Sequence, residues 1–122
     1  MKAENKLYHY SAEVTRVVDG DTVDAFVDLG FDMHSKQRVR LYGINTPEVR
    51  TRDKAEKKAG LAAMARLQEM LRESKNKCVI KTRLDRKGKY GRVLGVIYVD
   101  DCDLNAKLIK EGHAKKYYGG TR

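Results

Sequence analysis

The chain has 122 residues, with 26 Lys and Arg against 17 Asp and Glu, for a formal charge of +9. That length suits one domain whose core needs no disulfide staple, and two cysteines, Cys78 and Cys102, make neither a disulfide framework nor a metal-ligand spacing. The sequence has no apolar run long enough to span a membrane and no signal-peptide core in its first ten residues, and its charge surplus points to a polyanionic partner, most commonly nucleic acid.

As written, a soluble monomer is expected, cytoplasmic unless the chain is the trimmed form of a secreted precursor. His9, His34 and His113 are scattered and read as no metal cluster. Residues 11–30, SAEVTRVVDGDTVDAFVDLG, read as two strands. Val23, Ala25 and Val27 alternate with Thr22, Asp24 and Phe26, the period of a half-buried strand. Asp19-Gly20 between the apolar runs is a hairpin signal. Gly30 opens a second turn, expected to run on through FDMHSKQ, which places His34 in a solvent-exposed loop. QRVRLYG, residues 37–43, is a third strand, with Gln37, Val39 and Leu41 on one face and Arg38, Arg40 and Tyr42 on the other.

The chain then reaches Asn45-Thr46-Pro47-Glu48. Thr46 suits a helix N-cap, Pro47 a first helical position and Glu48 the positive end of a helix dipole. From about Arg52 to Ser74 the period changes. Gly60, Ala63, Met64, Leu67, Met70 and Leu71 recur at steps of three and four, which predicts a long amphipathic helix ending near Asn76. KCVIKTR (77–83) and RVLGVIYV (92–99) are two further strands, joined by the polar loop LDRKGKYG. A short helix is expected over Leu104–Glu111, with Gly112 as its left-handed stop. The tail HAKKYYGGTR is basic and aromatic.

Three strands, a helix, two strands and a helix define a mainly β chain with α (α+β). The order matches a five-stranded OB-type barrel with a long helix between strands 3 and 4 and a C-terminal helix. An SH3-like barrel with added helices has the same order. A methyl-ligand module of that kind needs an aromatic cage, and a chain without Trp and with only two Phe is poorly equipped for one.

Three short stretches combine charge with turn geometry. Asp19-Gly20-Asp21-Thr22 brackets a glycine with carboxylates, and Asp21 lies where the chain re-enters a strand, an oxygen donor of the kind hard cations take. Arg40 shares a strand face with Arg38 and precedes the Thr-Pro-Glu corner, and its planar fork matches a phosphate. Lys87, Lys89, Tyr90 and Arg92 put cations beside a ring in a glycine-bounded loop, as single-strand binders do. Taken singly, each also reads as an ordinary turn or a solvated surface.

In this order, DGDT, RLYGINTPE, KYGR and LNAKLIKEGHA resemble the staphylococcal nuclease (thermonuclease) family over roughly residues 12–118, with residues 1–122 as a single such domain. The resemblance implies an OB barrel and a Ca²⁺-dependent phosphodiesterase that cuts DNA and/or RNA and leaves 3′-phosphates. By the same resemblance Asp21 is the carboxylate ligand of Ca²⁺, joined by Asn45 and by the Thr46 backbone carbonyl. Arg40 and Arg92 are the phosphate-binding arginines, and Glu48 activates or positions the attacking water. Lys89, Tyr90 and Tyr118 contact the substrate. Asn45 departs from the pattern, because the family usually carries an Asp there. An amide oxygen brings no charge, so weaker Ca²⁺ binding is expected. The other reading is a non-catalytic nucleic-acid-binding module with a degraded metal site.

Overall fold

The computed structural model describes residues 7–83 and 93–117. Its elements are β1 (His9–Asp19), β2 (Thr22–Gly30), β3 (Met33–Leu41), β4 (Ile44–Asn45), α1 (Lys54–Arg72), β5 (Lys77–Arg83), β6 (Val93–Val99), β7 (Cys102–Asp103), α2 (Leu104–Lys110) and β8 (Lys115–Lys116). The sheet order is β3-β2-β1-β5-β6-β7, and a parallel pairing of β3 with β6, Val39–Leu41 against Val93–Gly95, closes it. Five strands thus form an OB-type barrel, with β7 as an extra strand on β6 and a small β4–β8 pair outside it.

Strand alternation fills the barrel. Val14 and Val17 of β1, Val23, Ala25 and Val27 of β2, Val39 and Leu41 of β3, Ile80 of β5 and Ile97 of β6 are all buried in one cluster. The long helix adds its apolar stripe, and Leu67, Met70 and Leu71 join the same core. Each fully buried aliphatic side chain of this kind contributes about 1.5–3 kcal/mol of transfer free energy. The second helix adds Leu104 and Leu108. Its neighbour Asn105 is buried and fully used. Its amide nitrogen donates to the carbonyls of Tyr42 (2.9 Å) and Gly95 (3.1 Å), and its oxygen accepts from the Ile97 N–H (3.2 Å). One side chain therefore ties α2 to β6 and to the end of β3. It gave no signal in the sequence, because a single Asn in a helix reads as a surface residue.

Two boundaries differ from the sequence expectations. The second hairpin turn is confined to Phe31 and Asp32, both at positive φ (55° and 60°), and β3 already starts at Met33. Met33–Lys36 is a mostly exposed stretch with no apolar alternation in its sequence to mark it as a strand, and pairing with β2 imposes the conformation. His34 is consequently a strand residue, and its ring stacks on Phe26 at 4.7 Å. The second difference concerns Thr46, which caps no helix. Asp53 does so, its carboxylate accepting from the N–H groups of Ala55 (2.9 Å) and Glu56 (3.2 Å). Thr46 is instead held outside a helix because the Asp21 carboxylate takes its backbone N–H at 3.1 Å.

Candidate active site

The β1–β2 turn, the end of β3 and the corner after β4 converge. Arg40 pairs with Thr22 across β2–β3, while Asp19 pairs with Thr22 across β1–β2. The chain between them is pinned further by the Leu41 N–H, which donates to the Asp21 carbonyl at 2.8 Å. The convergence forms a cleft of about 590 Å³ whose walls include Asp19, Asp21, Arg40, Thr46 and Glu48.

Asp21 is the hub. It is buried, one carboxylate oxygen accepts from the Thr22 hydroxyl (3.0 Å) and the other from the Thr46 N–H (3.1 Å). The Arg40 guanidinium stands 3.5 Å from that second oxygen. It also donates to the Leu41 carbonyl (3.1 Å) and reaches the Asn45 amide oxygen at 3.5 Å. Both long contacts are weak by hydrogen-bond geometry, and with a further 3.5 Å contact to the Asp21 carbonyl they orient the guanidinium along the cleft wall. Asn45 is not part of the cleft wall. It borders the neighbouring groove between the corner and the segment 112–115, with its amide oxygen reaching toward Arg40 of the cleft wall.

Close packing with α1 fixes the Thr-Pro-Glu corner. A Cβ on Gly60 would lie 2.7 Å from the Glu48 carbonyl oxygen and 2.8 Å from that of Pro47. A Cβ on Gly20 would lie 2.8 Å from Ala63 and 3.0 Å from the Thr46 hydroxyl. Two missing side chains thus let the helix, the first turn and the corner touch. The Glu48 N–H donates to the Glu56 carboxylate (3.2 Å) and so ties the corner to the first turn of α1, while the Glu48 residue itself remains exposed.

The electrostatics of the cleft are mixed. Burial, then the Asp21 carboxylate, hold the Asp19 carboxyl above the usual carboxylate range. Glu48 pushes the same way, against Arg50 and Arg40. Crowded carboxylates that oppose one another's ionisation form a place where a cation lowers the energy. The donors are all oxygens, and Thr46 Oγ1 is buried with no hydrogen-bond partner. Oxygen donors are the type a hard cation takes. Among the described residues no group of three or more His, Cys, Asp or Glu is placed to hold a metal ion, so the fit is one of donor chemistry and not of a formed cage.

Of the residues singled out in the sequence, Asp21, Arg40, Thr46 and Glu48 meet at this cleft, and Asn45 touches it through Arg40. Lys89, Tyr90, Arg92 and Tyr118 lie outside the described residues. Asp19, Arg16, Arg38 and Arg50 also line the cleft and were not singled out as site residues. Asp19 stood in the quoted DGDT turn and Arg38 on the quoted strand face. Arg16 and Arg50 gave no local signal, because only the three-dimensional closure brings them in.

The molecule is thus an OB-type barrel with a carboxylate-and-arginine cleft at one end of its β1–β2–β3 sheet. The chain matches the family model described as staphylococcal nuclease homologue over residues 38–121, and it belongs to that family. It is 37% identical over 108 residues to the thermonuclease of Staphylococcus intermedius, covering 86% of this chain and 59% of that protein. It is 30% identical over 117 residues to endonuclease YncB of Bacillus subtilis (strain 168), covering 96% and 52%. To the micrococcal nuclease of Shigella flexneri it is 29% identical over 121 residues, covering 90% and 61%. The chain therefore spans between about half and three fifths of the length of these relatives.

Proposed function

We propose that this protein is a Ca²⁺-dependent phosphodiesterase that hydrolyses DNA and/or RNA and leaves 3′-phosphates, with residues 1–122 working as one nuclease domain. The observation that carries the reading is the convergence of Asp21, Arg40, Thr46 and Glu48 on one cleft, in a chain whose relatives are named nucleases. Hydrolysis of a phosphodiester is slow because a nucleophile must approach an anion, and the in-line attack concentrates more charge on the equatorial oxygens. Arg40, with Arg92 of the KYGR motif, supplies guanidinium donors to those oxygens. Glu48 takes the proton of the attacking water, directly or through a second water. Breaking the bond to the 5′ oxygen leaves the phosphate on the 3′ side. Lys89, Tyr90 and Tyr118 hold the adjoining nucleotide.

Asp21 is the residue that would hold Ca²⁺, with Asn45 and Thr46 as uncharged oxygen donors. Bound there, the ion would supply positive charge to the phosphoryl oxygens. The Asp21 carboxylate also orients Arg40 and fixes the Thr46 backbone, so its role does not rest on metal alone.

A second reading has one observation in its favour. Asn45 contributes no charge where the first reading needs an ion ligand, as expected of a module that binds nucleic acid without cutting it. One assay separates the two. With added Ca²⁺ a nuclease degrades plasmid and single-stranded DNA, and chelator spares both. Glu48→Gln should cut at least 100-fold more slowly while melting like the parent. Undiminished cutting by that variant removes Glu48 from its assigned role, and no cutting by the parent at any Ca²⁺ concentration leaves the binding module.

A further inference from the structure

Arg16 is shared by the cleft and a neighbouring groove. It lines the cleft on the β1 side, and the same residue lines this second groove of about 490 Å³ between β1 and α1, whose other walls include Thr15, Gln68, Arg72 and Asn76. The walls of this second groove hold two guanidiniums, a hydroxyl and two carboxamides, and no carboxylate. Among the described residues neither Arg16 nor Arg72 forms an ion pair. Arg38 differs, since its guanidinium is engaged by Asp24 at 2.8 and 3.1 Å. Arg72 lies in the last turn of α1, and like Arg16 it is exposed.

From this we infer that a single polynucleotide strand runs out of the active cleft over Arg16 and into the β1–α1 groove, where Arg72 takes a further backbone phosphate and Gln68 and Asn76 offer amide donors and acceptors to the nucleotide. The inference rests on the proposed nucleic-acid substrate and deepens it, making the preferred substrate a polymer several nucleotides longer than the cleft holds. Charge complementarity favours this occupant. A polyanion meets two guanidiniums and no carboxylate among the groove walls, with Asp24, the cross-strand neighbour of Arg16, already engaged by Arg38, whereas a neutral or basic segment would leave the guanidiniums without partners.

The test reads binding, in chelator so that no cutting occurs, by fluorescence anisotropy of labelled oligothymidylates of 4 and 20 nucleotides from low to moderate salt. Each phosphate contact to a single strand contributes about 0.7 to the slope of log affinity against log salt. Arg72→Gln should lower the slope for the 20-mer by about 0.7 and leave the 4-mer unchanged. The Arg16→Gln/Arg72→Gln pair should lower the 20-mer slope by about 1.4. Lys58→Gln removes an equal charge from an exposed position of α1 outside both grooves, and should leave the slope alone. An unchanged slope for Arg72→Gln, or an equal fall for Lys58→Gln, overturns the inference. Failure of the parent to cut DNA in Ca²⁺ would refute the phosphodiesterase while this slope change remained, so the two ideas fail separately.

Discussion

Replacing Gly60 by Ala separates the demands of the helix from those of the site. In an isolated helix the change stabilises, by about 1 kcal/mol. Here the new methyl would lie 2.7 Å from the Glu48 carbonyl oxygen, where ordinary contact begins at 3.4 Å, so one partner must yield by about 0.7 Å. The atoms it meets are backbone, and no rotamer change relieves them. Overpacking of this kind costs about 1–3 kcal/mol, which leaves a net loss of roughly 0–2 kcal/mol after the propensity gain. For a chain of this length that lowers the melting temperature by at most about 8 °C. Activity should fall much further, because Glu48 rides on the displaced segment. A misplacement near 1 Å costs on the order of 100-fold, so 10- to 100-fold is expected. Calorimetry and initial rates of single-stranded DNA cleavage in saturating Ca²⁺ give both numbers. A Gly60→Ala protein that melts higher than the parent and cuts at the parental rate would show that the contact between α1 and the corner does not position Glu48.

Three further predictions concern charge, the buried amide and the helix pair. Asn45→Asp restores a charged donor beside Arg40 and should lower the Ca²⁺ concentration for half-maximal cutting; a titration that does not move would refute the explanation offered for the Asn. Asn105→Ala strands the Ile97 N–H and the Tyr42 and Gly95 carbonyls, and should destabilise by about 2–4 kcal/mol in urea titrations with an unchanged m-value; a loss below about 1 kcal/mol would mean that water replaces the amide. Glu111 accepts a two-point contact from Arg66 at 2.6 and 3.0 Å, and that hydrogen bonding holds its carboxyl below the ordinary glutamate range. Its stabilisation is present above the unfolded value, near pH 4.3, and is lost as pH falls through the lower folded value. Glu111→Gln should therefore melt below the parent at pH 7 and converge with it in acid; a gap that widens on acidification would reverse the sign.

Much of the barrel was readable because its strands are half-buried and alternate. Val23, Ala25 and Val27 announced β2, and the spacing of Gly60, Ala63, Leu67, Met70 and Leu71 announced α1. What failed to show was structure without burial. Met33–Lys36 is strand only because β2 is beside it, and the short β4, β7 and β8 pairs carry no period long enough to detect. Helix capping misled for a related reason. Thr46-Pro47-Glu48 has the composition of a helix start, but the partner that decides its conformation is Asp21, 25 positions earlier in the chain. For the site, local motifs supplied Asp21, Arg40, Thr46 and Glu48. The residues that shape its walls, Arg16 and Arg50 among them, become neighbours only through closure of the sheet.

The most direct measurement is the fate of end-labelled single-stranded DNA incubated with the purified protein across a Ca²⁺ series and in chelator. Fragments with 3′-phosphate ends, accumulating as Ca²⁺ rises and absent in chelator, are predicted. Intact DNA at every Ca²⁺ concentration, with the protein folded and bound to it, would contradict the assignment of the cleft as a phosphodiesterase site.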